Sequence, residues 1–152
     1  MTINREPERS NGLSPAETAA LVGEKLFAND LACQSLGIRL VAIGPGTATL
    51  AMTVREDMLN GFQLCHGGFL TALADSAFAF ACNSHNELTL AAGLTIDFLA
   101  PARAGDLLTA HATEVSLAGR IGVYDVVIAN QDGEHVAVVR GRSHRIKGRP
   151  AV

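Results

Sequence analysis

The sequence has 152 residues and no apolar run long enough to cross a bilayer. Its best candidate, the stretch from Phe69 to Cys82, is interrupted by Asp75. No apolar stretch follows the start, MTINREPERSNG, so no secretory signal is expected. Basic charge is not in excess: the formal net charge is −3, which leaves no electrostatic footprint for nucleic acid. The three cysteines, Cys33, Cys65 and Cys82, form no C-x-x-C pair and are odd in number. Free thiols in a reducing cytoplasm are the simplest reading. There is no G-x-S-x-G elbow, no P-loop and no G-x-G-x-x-G. The histidines lack H-E-x-x-H or similar spacing, so no metal is expected. Repeats and low-complexity linkers are also missing.

What is present is a globular composition, 48% hydrophobic and 18% charged, in a chain long enough for one real core. Residues 1–13 read as a disordered arm and residues 14–147 as a single domain. Ser14, Pro15 and Glu17 form a capping-box start for a helix that ends near Asn29 or Asp30. From Leu36 a partly alternating segment is split by Gly44-Pro45-Gly46, a hairpin signal. Residues 55–65 read as loop. The segment from His66 to Glu87 then reads as a long helix. Strand-like runs follow at 88–102, 106–119, 120–133 and 134–146, with turns at Ala118-Gly119 and Asp132-Gly133. The last three make a meander of long antiparallel strands. The expected class is α+β, with the sheet packed on the apolar helix.

That helix is apolar on all sides, so it must be buried all round. The available wrapper is the curled sheet plus a second copy of the protein. Small residues at Ala72, Ala74, Ala77, Ala79 and Ala81 permit close approach, and Phe69, Phe78 and Phe80 fill volume. Asp75 is then expensive, because a buried carboxylate needs partners or a raised pKa. Two readings stand. Asp75 is a structural residue satisfied by backbone or by Ser76, or facing a wet seam. Alternatively it is a general base or a nucleophile. Gly67-Gly68 at the helix start leaves backbone N–H groups open where the dipole favours negative charge, or it is only a tight corner. His66 alone reads as a helix cap or a core histidine, and Asn60-Gly61 as a turn. Cys65-His66 suggests a thiol–imidazole pair, but neighbours in sequence point apart. The basic tail, Arg140 to Arg149, reads as solvated surface, with ligand phosphates as the alternative.

The stretches MLNGFQLCHGGFLTALADSAFAFACNS, TIDFLAPARAGDLLTA, GVYDVVIANQDGEHVA and RGRSHRI resemble the PaaI-type hotdog-fold acyl-CoA thioesterases of the phenylacetate-degradation branch. The resemblance covers about residues 20–147. It implies a hotdog fold, a long antiparallel sheet wrapped around a central apolar helix. It also implies hydrolysis of coenzyme A thioesters, phenylacetyl-CoA and ring-hydroxylated relatives foremost, without a cofactor. Asp75 matches the family's catalytic carboxylate, and Gly67 the residue whose N–H polarises the thioester carbonyl. His66 and Asn60 match polar residues of the same site, and Ser76 a hydroxyl position that helps orient water. Gly68, Asn83, Arg103 and His144 are candidates for substrate contact. A hotdog dehydratase or hydratase, or a non-catalytic acyl-CoA-binding module, are the competing readings.

Gly67 and Asp75 are eight residues apart. At 1.5 Å rise per residue this is roughly 12 Å along the axis, too far for one thioester carbon. A twofold dimer with antiparallel helices side by side would bring each Gly67 opposite the partner's Asp75. The expectation is a homodimer with shared sites, in the cytoplasm, with no membrane or nucleic-acid partner; its assembly into a tetramer is what the resemblance implies.

Overall fold

A computed structural model describes residues 12–152. The expected N-terminal arm falls outside the described residues except for its last two. The architecture is α+β and hotdog-like, a six-stranded antiparallel sheet around one central helix. The elements run α1 (Pro15–Asn29), α2 (Leu31–Leu36), β1 (Arg39–Gly44), β2 (Thr47–Thr53), a 3-10 turn (Glu56–Met58), α3 (Gly67–Asn83), β3 (Thr89–Phe98), β4 (Leu107–Ala118), β5 (Ile121–Ala129) and β6 (His135–Arg145).

The local signals act as expected. The Ser14 hydroxyl accepts from the Glu17 N–H at 3.2 Å while the Glu17 carboxylate accepts from the Ser14 N–H at 2.8 Å. Pro45-Gly46 turns β1 back onto β2. The short α2 was not expected. The Asp30 carboxylate caps it by accepting from the Cys33 N–H at 2.9 Å, and Gly37 ends it. Residues 55–65 carry the 3-10 turn within the expected loop.

Strand order is β1-β2-β4-β5-β6-β3. The meander of β4, β5 and β6 forms as read, but β3 leaves its neighbours in sequence and pairs with β6 at the far edge. Alternation sorts the strands into two faces. Leu50 and Met52 of β2, Leu108, Ala110 and Ala112 of β4, and Tyr124, Val126 and Ile128 of β5 point at α3 and are buried.

The helix meets that face through Leu73, Ala74, Ala77, Phe78 and Ala81, all buried. Phe78 is the pivot. Its ring centroid lies 5.4 Å from that of Tyr124, and a Cβ at Gly141 would fall 3.0 Å from three of its ring atoms. Glycine at 141 therefore lets the ring press on the β6 backbone. Replacing Phe78 by alanine leaves a cavity that neither a glycine nor a tyrosine can close. Phe78→Ala should cost about 3–5 kcal/mol. Urea unfolding at matched protein concentration checks it; a loss below about 1 kcal/mol would mean that the ring is not a core anchor.

Candidate active site

One stripe of α3 is left uncovered by the sheet. Gly68 is exposed, and Ala72, Asp75 and Ala79 are half-buried. Their spacing of four, three and four residues places them on one helix face. The stripe runs beside β3, whose outer edge has no strand neighbour. Leu90, Phe98 and Leu99 are exposed along or just beyond this edge.

The N-terminus of α3 is held by the loop before it. The Asn60 side-chain oxygen accepts from the N–H groups of Phe62 (2.9 Å) and Leu64 (3.2 Å). The His66 N–H donates to the Met58 carbonyl at 2.8 Å, and the Cys65 N–H to Ala102 at 2.8 Å. His66 is the cap residue. Its Nδ1 accepts from the Gly68 N–H at 2.9 Å, so in the neutral ring the proton sits on Nε2. The Phe69 N–H is taken by the His66 carbonyl at 2.9 Å. Among the described residues the Gly67 N–H has no partner. It is a free donor at the positive end of a 17-residue helix, the kind of group that stabilises a developing oxyanion.

Asp75, two turns on, makes no hydrogen bond or ion pair among the described residues. Burial alone raises its carboxyl above the ordinary aspartate range. Neither the backbone nor Ser76 answers the carboxylate among the described residues, which leaves the wet seam and the catalytic reading. The Ser76 hydroxyl donates to the Ala72 carbonyl at 2.8 Å and receives the Cys33 thiol at 3.3 Å, on the side that faces α2.

The remaining candidates separate. Asn83 is buried, and both its amide donors are used: they go to the carbonyls of Ala79 and Thr89, each at 2.9 Å, while its oxygen accepts from the Thr89 N–H at 2.9 Å. It clamps the helix end to the start of β3 and has no donor left for a ligand. His144 alternates with the inward-facing Ser143 and so lies on the sheet face away from α3. Arg103 is exposed and lines a cleft of about 580 Å³ with Glu56, Leu59, Gln63 and Ala104, beside the loop that leads into Gly67. Cys65 is buried, and burial pushes its thiol up to about 11, so it is a protonated core residue and no nucleophile.

Two features lie outside the candidate residues named from the sequence. Phe98, the last residue of β3, brings its ring tip onto Gly67: a Cβ there would lie 2.7 Å from Cζ. An aromatic residue in TIDFLAPA was its only signal. At the far end of α3, the Glu114 carboxylate accepts from the Tyr124 hydroxyl at 2.7 Å and pairs with His85 at 2.9 Å. Burial works to raise the Glu114 carboxyl, and these two partners outweigh it and hold it below its ordinary value. Nothing in the sequence spacing joins those three residues.

Asp75 carries a stability cost with a definite sign. A carboxyl whose folded pKa lies above its unfolded value takes up protons on folding. Stability therefore falls as pH rises from 3.8 through the raised value, and it stays reduced above it. Asp75→Asn should be more stable than wild type at pH 7, with the gain fading as pH falls toward 3.8. Thermal melts across pH test this; an Asn variant no more stable at neutral pH would contradict a desolvated carboxylate.

Comparison with known proteins shows the family and the fold. Residues 62–137 match the thioesterase superfamily model. The acyl-coenzyme A thioesterase PaaI of Escherichia coli strain K12 is 49% identical over 81% of this chain and 88% of its own length. The solved structure of the E. coli PaaI protein from the phenylacetic acid degradation operon superposes with a TM-score of 0.87 at 46% identity, covering 90% of this chain and 99% of that one. A mutant structure of the phenylacetic acid degradation protein PaaI from Thermus thermophilus gives 0.74 at 38% identity, over 77% of this chain and all of that one (100%). The chain belongs to the thioesterase superfamily, as a hotdog-fold thioesterase of the PaaI type.

Proposed function

We propose that the chain hydrolyses acyl-CoA thioesters, phenylacetyl-CoA and its ring-hydroxylated forms foremost, in a homodimer whose two sites are each built from both subunits. The observation that carries this is the pairing of a free Gly67 N–H with an unanswered Asp75 on one uncovered side of the molecule. They lie roughly 12 Å apart along their own helix. A second copy seated on the stripe and the β3 edge would bring each donor to the other chain's carboxylate. It would also cover the exposed Leu90 on an otherwise open edge strand, with Phe98 left facing the shared site. A dimer of such dimers is the expected assembly. The three buried free thiols suit a reducing cytoplasm.

In the reaction, the thioester oxygen accepts from the Gly67 N–H of one subunit. Asp75 of the other takes a proton from water as the water oxygen bonds to the carbonyl carbon. The tetrahedral intermediate collapses, the C–S bond breaks and the thiolate leaves, taking up the proton held by Asp75 to give free CoA and the carboxylic acid and to restore the carboxylate. One oxyanion donor contributes about 3 kcal/mol, and a positioned base about 10²–10⁴-fold. Burial raises the carboxyl, which strengthens it as a proton acceptor. His66 and Asn60 hold the donor in place; Arg103 flanks the approach from the cleft. The E. coli relative's name, an acyl-coenzyme A thioesterase, and its origin in a phenylacetic acid degradation operon support the substrate class.

Thiol release over a panel of acyl-CoA esters tests the reading. Phenylacetyl-CoA should be turned over with higher kcat/KM than palmitoyl-CoA, and Asp75→Asn should lose at least about 100-fold in turnover while staying folded. Preference for the long chain would refute the substrate class. Normal turnover in folded Asp75→Asn would remove the base.

A further inference from the structure

We propose that Phe98 is a specificity-determining residue of this site: the face of its ring packs against an aryl group carried one carbon from the reacting carbonyl. The inference rests on the hydrolysis reading above and deepens it.

The contact between Phe98 and Gly67 is made by the tip of the ring. A Cβ at residue 67 would meet Cζ at 2.7 Å and Cε1 and Cε2 at 3.2 and 3.3 Å. The faces of the ring are therefore not used up on Gly67. Phe98 pairs with the buried Ala137, and with Asp97 facing outward it projects toward the helix side of the sheet. Yet it is 54% exposed. A ring whose task was only to wedge the helix start would be covered. Here a large apolar face stands open beside the first-turn amide that has no partner among the described residues.

A thioester whose oxygen binds that amide must lay its flanking atoms along the ring. In an arylacetyl group one methylene separates the carbonyl carbon from the aromatic ring. That length puts the substrate ring beside Phe98, and aromatic pairs are favourable at about 4.5–7 Å between centroids. A saturated ring fills the same space without the quadrupole, and a short alkyl chain does not reach. Gly67 has a second task on this view: any side chain there would push the ring off the donor.

The test compares wild type, Phe98→Leu and Phe98→Tyr. It measures kcat and KM for phenylacetyl-CoA, cyclohexylacetyl-CoA and butyryl-CoA, together with binding of the non-hydrolysable thioether analogues of the first two. Phe98→Leu should lower kcat/KM and affinity for the phenyl compounds by about 3–10-fold, one aromatic pair's worth. It should leave the cyclohexyl and butyryl compounds within about twofold, and Phe98→Tyr should retain the phenyl preference. An equal loss for all three acyl groups, an unchanged phenyl-to-cyclohexyl ratio, or dissociation of the oligomer in Phe98→Leu would overturn the inference, making the ring mere packing. The two readings fail separately. If wild type released no thiol but the binding ratio shifted, hydrolysis would fall and the role of Phe98 would stand.

Discussion

A helix apolar on every side cannot be satisfied by one sheet, and this mismatch organises the molecule. The sheet takes Leu73, Ala74, Ala77, Phe78 and Ala81 and leaves the stripe of Gly68, Ala72, Asp75 and Ala79. Had that stripe been large and oily it would serve only association. It is made instead of small residues around one carboxylate. A second backbone can come close there, and the carboxylate is desolvated while no group among the described residues answers it. On the proposed reading, catalysis and association draw on the same face.

The other half of the proposed site sits at the helix start, and it depends on polar groups being used up elsewhere. His66 takes the Gly68 amide through Nδ1 and the Phe69 amide through its carbonyl. Only Gly67 is left. Asn60 ties the preceding loop, and the main-chain bonds of Cys65 and His66 to Ala102 and Met58 set the angle at which the helix begins. Preorganisation of this sort is what gives a single donor its effect, since no reorientation is needed when charge develops. Phe98 adds shape to the donor's surroundings without taking the donor itself.

Features written in adjacent residues were legible from the sequence. The Ser14-Pro15-Glu17 start, the Pro45-Gly46 turn and the meander each depend on neighbours a few positions apart. So was the oddity of Asp75, because one charge in an apolar helix violates a simple pattern. The misses share a different physics. α2 has only six residues, too few to show a period. β3 goes to the far edge because α3 intervenes and β6 offers the free partner, a choice made by the whole sheet. Asn83 resembles a ligand residue by position, yet its amide is spent on Ala79 and Thr89. The Ser76 hydroxyl likewise goes to Ala72 and Cys33, a bond that spans 43 residues. Hydrogen-bond allocation is a property of the folded environment, and spacing alone does not encode it.

The claim that each site draws on two chains is tested most directly by mixing inactive subunits. Asp75→Asn lacks the base, and His66→Ala combined with Asn60→Ala spoils the donor side. After subunit exchange, proven by co-purification of two differently tagged chains, about half the dimers are mixed. In a shared-site dimer each mixed pair has one site with both defects and one with neither, so thiol release should recover to roughly a quarter of wild type. Exchange without recovery would mean that each site is built within a single chain, and the account would be wrong.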